Sequence, residues 1–264
     1  MFRLFLLVMV LMGSLWGAVA EKKVPVLCYH RFAPEAVDSM TIKNSAFTEQ
    51  MEWLKIHGYS VIPLDTAMGY VNGKVKTIPA KSVVITVDDG HKSVYSDMAP
   101  IVKKYKIPVT LFIYPSAISN AKYAMTWEQL RDLETTKLFH VESHTYWHPN
   151  FKKEKKTLSP EEYAKSVDKQ LNGSKKKLEE KMGHEIKYLA WVFGIYDDAL
   201  LVDAKKSGYT AAFTIDRQHA SSGDHVMALG RYMVVSKHTI KEFVRMVDGT
   251  EDRMSKDKKE VVQY

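Results

Sequence analysis

Val84-Ile85-Thr86-Val87-Asp88-Asp89-Gly90 is an apolar run that stops on two adjacent carboxylates and a glycine. Further along, His144-Thr145-Tyr146-Trp147-His148 offers two imidazoles with three residues between them. Upstream, Val26-Leu27-Cys28-Tyr29-His30 ends a second apolar run on a histidine. One carboxylate and two imidazoles can hold a divalent cation and leave coordination positions open for water. The other carboxylate is then free to act as a base. Alone, Asp88-Asp89-Gly90 would read as an ordinary turn after a strand; the histidines give it a chemical reading.

The elements that must position these residues alternate between strand and helix patterns, which argues for an α/β fold around a parallel sheet or barrel. Val24 to Tyr29, Val83 to Val87 and Val109 to Tyr114 read as strands, as do Phe139 to Val141, Tyr188 to Phe193 and Tyr209 to Thr214. Their largely apolar runs suit strands covered on both faces. Helical spacing appears over Phe47 to His57, Trp127 to Leu133, Asp197 to Ser207 and Ile240 to Val247. Tyr95 to Tyr105 is a further helix if Pro100 falls in its first turn. Ser159-Pro160-Glu161-Glu162 is a capping box that opens a long polar helix to about Met182, with Gly183 as its stop. Asn172 and Gly173 should bend or loosen that helix. No internal repeat or linker splits the chain.

The 264 residues suit one barrel-sized domain. Residues 1–20 read as a signal peptide: Arg3, an apolar stretch from Leu4 to Leu11, and Ala18-Val19-Ala20 before Glu21. An uncleaved N-terminal anchor is the alternative. The protein is thus expected to be exported, periplasmic or extracellular. Residues 21–249 form the expected folded domain and 250–264 a mobile charged tail. Cys28 is the only cysteine, so no internal disulfide forms, and its apolar setting suits a buried inert thiol. The net charge of +7 comes largely from lysine runs at Lys152 to Lys156, Lys175 to Lys181 and Lys256 to Lys259. These lack interleaved exposed aromatics, which argues against a nucleic-acid partner and leaves room for weak attraction to a membrane or envelope polymer.

Together these segments resemble the polysaccharide deacetylases, also called the NodB-homology or carbohydrate esterase 4 family. The similarity rests on Thr86-Val87-Asp88-Asp89-Gly90 and His144-Thr145-Tyr146-Trp147-His148, and runs from about Val24 to the Met246 region. Pro25-Val26-Leu27-Cys28-Tyr29-His30-Arg31-Phe32 looks like the branch that includes poly-β-1,6-N-acetylglucosamine deacetylases. The resemblance implies a distorted (β/α) barrel with fewer than eight regular strands. It implies Asp89, His144 and His148 as metal ligands, Asp88 as general base and His30 as the acid that protonates a departing amine. Zinc is the default metal; iron, cobalt and nickel also suit the donor set. The substrate would be an N-acetylated polysaccharide. A peptidoglycan target, an O-acetyl ester, or a catalytically weak carbohydrate-binding role are the alternatives.

Four points depart from a simple match. His140, His144 and His148 are spaced four apart and would share a face if helical. Leu138 to Val141 instead reads as strand, and Pro149 discourages helix before it, so His140 is expected in a strand or outer role. His238 is the reserve acid. The family's arginine-containing third motif is degenerate here: Ala190-Trp191-Val192-Phe193-Gly194 has Ala190 at the arginine position and Val192 at the proline position. The charge partner of Asp88 is thereby open, with Arg231 as a candidate, and the Phe193 backbone N–H can still serve an oxyanion. Trp191 and Phe193 are candidates for stacking on a sugar face, with barrel core as their other reading.

Overall fold

The structure, a computed structural model, describes residues 21–250. The expected signal peptide and all of the expected tail except Thr250 lie outside the described residues.

Seven parallel strands follow one another around the barrel wall: β1 (Val26–Tyr29), β2 (Ser82–Asp88), β3 (Val109–Ile113), β4 (Phe139–Ser143), β5 (Tyr188–Ala190), β6 (Ala211–Phe213) and β7 (Tyr232–Met233); an eighth, two-residue strand, Ser60–Val61, pairs with the start of β2. Their order across the sheet is β6-β5-β4-β3-β2-β1-β7. The sheet curls until its two edges meet in one segment. Leu229 bridges to Phe213 of β6, and three residues later the same chain enters β7, which pairs with β1 through Tyr232 and Met233. This is the distorted barrel that the sequence implied.

Nine helices are present among the described residues: α1 (Asn44–Ile56), α2 (Leu64–Val71), α3 (Ala99–Tyr105), α4 (Trp127–Thr135), α5 (Phe151–Thr157), α6 (Pro160–Asp168), α7 (Ser174–Met182), α8 (Asp198–Lys206) and α9 (Ile240–Asp248). The expected long polar helix is α6 and α7, joined by a wide five-residue turn at Lys169–Gly173 where Asn172 and Gly173 fall. A similar wide turn at Val94–Met98 leads into α3 and seats Pro100 at its start. The strand expected from Tyr188 to Phe193 ends at Ala190, because Phe193 turns to φ 54°. α2 and α5 carry too little periodic apolar signal to stand out.

Side-chain alternation decides what each strand residue faces. Leu27, Tyr29, Ile85, Val87, Leu111, Val141 and Leu189 join the larger core beneath the helices. Val26, Val84, Phe112, Ala190, Ala211 and Phe213 form a smaller cluster in the lumen. Continuing each strand's period of two puts Cys28, Thr86 and Asp88 in the lumen, with Glu142 and His144 on the matching face of β4.

Candidate active site

Because the wall is parallel, its strands deliver their next residues to one mouth: His30 after β1, Asp88 and Asp89 at the end of β2, Tyr114 after β3 and His144 after β4. Several backbones there hold unusual conformations. Asp89, Thr145, His148 and Phe193 all have φ between 54° and 76°, the left-handed region that side chains disfavour. Such strain gathers where the surrounding structure fixes a functional geometry. Gly90 also sits at φ 76°, and a Cβ there would meet Ile113 Cδ1 at 2.9 Å, so both conformation and space call for glycine.

Asp89, His144 and His148 come together as expected. Asp89 Oδ1 lies 3.6 Å from His144 Nε2 and 3.4 Å from His148 Nε2, and one donor atom of each residue falls within 4.8 Å of the others. Asp89 Oδ1 is buried and has no hydrogen-bond partner. His144 Nδ1 is 2.8 Å from the Ala190 carbonyl, which accepts its proton and leaves Nε2 bare toward Asp89. Burial, then His144, push His148 down to about 4, so its ring is neutral and able to ligate. An orphaned carboxylate oxygen between two imidazole nitrogens is the fit a divalent cation requires. His140 is not part of this group: it lies on β4, near the strand's N-terminal end.

Asp88 faces a different partner. Arg231, fully buried, runs into the lumen and pairs with it bidentately, Nη1 to Oδ1 at 2.8 Å and Nη2 to Oδ2 at 2.7 Å. Arg231 Nε donates to the Thr214 carbonyl at 3.0 Å and Nη1 to Thr86 Oγ1 at 3.1 Å. Burial raises the Asp88 carboxyl, but Arg231, together with His144 and His30, outweighs it and holds the group well below the usual carboxylate range. Arg231 therefore fills the charge-partner role for which Ala190 left no side chain. Asp88 Oδ2 points toward the triad, 4.0 Å from His144 Nε2, and accepts from the Cys28 thiol at 3.3 Å. That thiol contact went unnoticed in sequence; its signal was the pairing of Cys28 with Thr86, which puts it beside Asp88 on one face.

His30 presents a ring nitrogen within 4.8 Å of both Cys28 and the Asp88 carboxylate. Its Nδ1 is buried without a hydrogen-bond partner. Burial lowers its pKa, opposed by the Asp89 and Asp88 charges. His238 belongs elsewhere: its Nδ1 accepts from the Val235 N–H at 3.1 Å, in the turn before α9.

The two aromatic candidates separate. Trp191 is fully buried, donates to the Met227 carbonyl at 2.8 Å and packs on Phe151. It shares the helix-facing parity of Leu189, so it is core and cannot stack on a sugar. Phe193 is 40% exposed, with its ring 4.7 Å from that of His148. Beside it opens a groove of about 470 Å³ lined by Tyr114, Ser116, Asn120, Tyr123, Trp147 and His148, among others.

Comparison with known proteins agrees with this geometry. Residues 75–212, half the chain, match the family model for polysaccharide deacetylase. The chain belongs to the polysaccharide deacetylase family. Among curated deacetylases, it is 25% identical over 229 residues to the poly-β-1,6-N-acetyl-D-glucosamine N-deacetylase of Staphylococcus aureus, covering 85% of this chain and 78% of that one. Among solved structures it resembles IcaB from Ammonifex degensii, with TM-score 0.75 and 25% identity over 86% of this chain and 98% of that one. The deacetylase PplD of Streptococcus pyogenes shares the fold, with TM-score 0.75 and 21% identity over 85% and 98%. His30 and Arg231 lie outside the segment matched by the deacetylase family model.

Proposed function

We propose that this chain is an exported, metal-dependent N-deacetylase that removes acetyl groups from N-acetylhexosamine units of an envelope or extracellular polysaccharide, with poly-β-1,6-N-acetylglucosamine as the leading substrate. The observation that carries the chemistry is the orphaned Asp89 Oδ1 between His144 Nε2 and His148 Nε2, with ionised Asp88 beside them. The relatives named above support the substrate class, and the leader-like residues 1–20 support export.

Asp89, His144 and His148 would hold the cation, zinc by default. When bound there, a divalent cation polarises an acetamide carbonyl and acidifies a water. Arg231 keeps Asp88 anionic, so the base is ready before substrate arrives. His30, within reach of Asp88, protonates the amine as the C–N bond breaks. Water and amide thus become acetate and a free amine. The exposed Phe193 ring packs on His148, which lines the groove, and a pyranose C–H face can lie against it.

The test is acetate release from β-1,6-linked N-acetylglucosamine oligomers, with and without added metal, beside Asp88→Asn. Metal-dependent release that falls by about a thousandfold or more in Asp88→Asn, with metal content unchanged, is the expected result. Release only from peptidoglycan or chitin oligomers would keep the mechanism and change the substrate. No release from any of them would remove the enzymatic reading.

A further inference from the structure

A second group of ligating side chains lies at the opposite mouth of the barrel. His140 sits near the N-terminal end of β4, four residues before His144. Glu134 comes from the last turn of α4, and His184 from the turn between α7 and β5. One donor atom of each lies within 4.8 Å of the other two. His184 Nε2 is 2.9 Å from Glu134 Oε1, and His140 Nδ1 is 3.8 Å from the same oxygen. Donor atoms around a tetrahedral ion at zinc bond lengths sit roughly 3.3–3.6 Å apart, so shifts of about half an ångström would seat one.

The remote nitrogens of both rings already face acceptors. His184 Nδ1 is 3.1 Å from the Glu185 carbonyl, and His140 Nε2 is 3.3 Å from Glu142 Oε1. Without an ion, His184 Nε2 donates to Glu134 Oε1 at 2.9 Å; an ion bound there would displace that proton, and the acceptors beside the remote nitrogens can then hold the ring protons. Metal-binding histidines are oriented in this way. Glu142 Oε1 is the acceptor that His140 Nε2 approaches at 3.3 Å without completing a hydrogen bond. Glu142 is fully buried; its Oε2 accepts from the Lys187 and Tyr188 N–H groups at 2.8 Å each, while its Oε1 has no hydrogen-bond partner. A buried carboxylate oxygen in that state costs free energy unless an imidazole N–H is held on it. The two rings also stack, 4.4 Å apart at 26°. Protonating both would place two cations face to face, whereas one shared ion would bridge both rings and Glu134, whose Oε1 also accepts the Val141 N–H at 2.8 Å.

We propose that Glu134, His140 and His184 form a second divalent-metal site, for zinc or a neighbouring late first-row ion, with Glu142 orienting His140 from behind. The ion would tie the end of α4, the start of β4 and the α7–β5 turn into one unit, a structural role. The site does not depend on the deacetylase reading, since it uses the other end of β4.

The experiment is a metal titration of the purified protein after chelation, with Co²⁺ followed by its visible bands and Zn²⁺ by calorimetry. Two ions per chain are expected in the wild type and one in His140→Gln/His184→Gln. Deacetylase activity at saturating metal stays unchanged in that double variant, which reports an intact barrel. Glu134→Gln keeps the side-chain shape and is the second variant, expected to weaken the second ion at least tenfold. Equal stoichiometry in the wild type and the double variant, with Glu134→Gln binding as the wild type does, overturns the proposal. A single ion that is lost in the double variant and kept in Asp89→Ala upholds this site while removing the metal from the proposed catalytic centre, so the two readings fail separately.

Discussion

At the scale of single residues, the Asp88–Arg231 pair is the strongest electrostatic commitment in the lumen. Both side chains are buried, and each is the main counter-charge of the other. Removing one partner leaves a buried uncompensated charge, whereas removing both leaves none. Arg231→Met should therefore cost about 3–5 kcal/mol. Asp88→Asn/Arg231→Met should cost less than Arg231→Met alone. Urea unfolding of the wild type, the two single variants and the double variant checks this; additive losses would mean that the pair is not coupled. The catalytic consequence differs in kind. Asp88→Asn and the double variant lack the base and should stay inactive, whereas Arg231→Met keeps Asp88 and loses only the charge that holds it ionised, so it should be slowed and not abolished.

At the scale of elements, the barrel closes through Leu229 to Met233, and this closure puts Arg231 beneath Asp88. Gly230 allows the approach. A Cβ there would meet the backbone oxygens of Asp216 and Gln218 at 2.7 Å, and backbone cannot step aside as a side chain can. Gly230→Ala should cost about 2 kcal/mol or more and lower activity further than the stability loss explains, because the closing segment carries Arg231. Thermal unfolding with kcat measured well below Tm separates the two effects. The same segment shows why sequence reading reached only part of the site. Asp88 and Asp89 were legible because a long apolar strand precedes them, and His144 and His148 because of their spacing in a segment that resembles the family motif. Arg231 was no more than a candidate, because β7 is two residues long and has no period to read. Trp191 and Phe193 were ambiguous because their fates turn on a left-handed φ at Phe193. That turn ends β5 and sends one ring to the core and the other to the groove. α5 carries one buried residue, Phe151, and so no apolar stripe.

At the scale of the whole molecule, α9 packs along the barrel and couples its last segment to its first helix. Phe243, Met246 and Val247 are buried, Phe243 meets Trp53 of α1 edge-on at 6.2 Å, and a Thr239–Glu242 capping box starts the helix. His238 stands at its entry. Its Nδ1 accepts the Val235 N–H, a role open only to a neutral ring, because both nitrogens of a protonated imidazole carry hydrogens. Burial, then Arg217, lower its pKa to about 4. The sign follows. The folded state binds this proton more weakly than the unfolded chain, whose value is about 6.5. The contribution is therefore fully present above pH 6.5 and is lost as pH falls toward 4. His238→Asn offers a carbonyl oxygen near the Nδ1 position and does not titrate. It should match the wild type at pH 7 and exceed it by about 1 kcal/mol at pH 4, the worth of one neutral hydrogen bond. Because His238 hydrogen-bonds within its own turn and is not among the groups gathered with Asp88, Asp89, His144 and His148, acetate release at pH 7 should be the same in both proteins. Urea unfolding of the pair at several pH values checks this. Parallel curves would mean that acid acts on the barrel itself and not on the entry to α9.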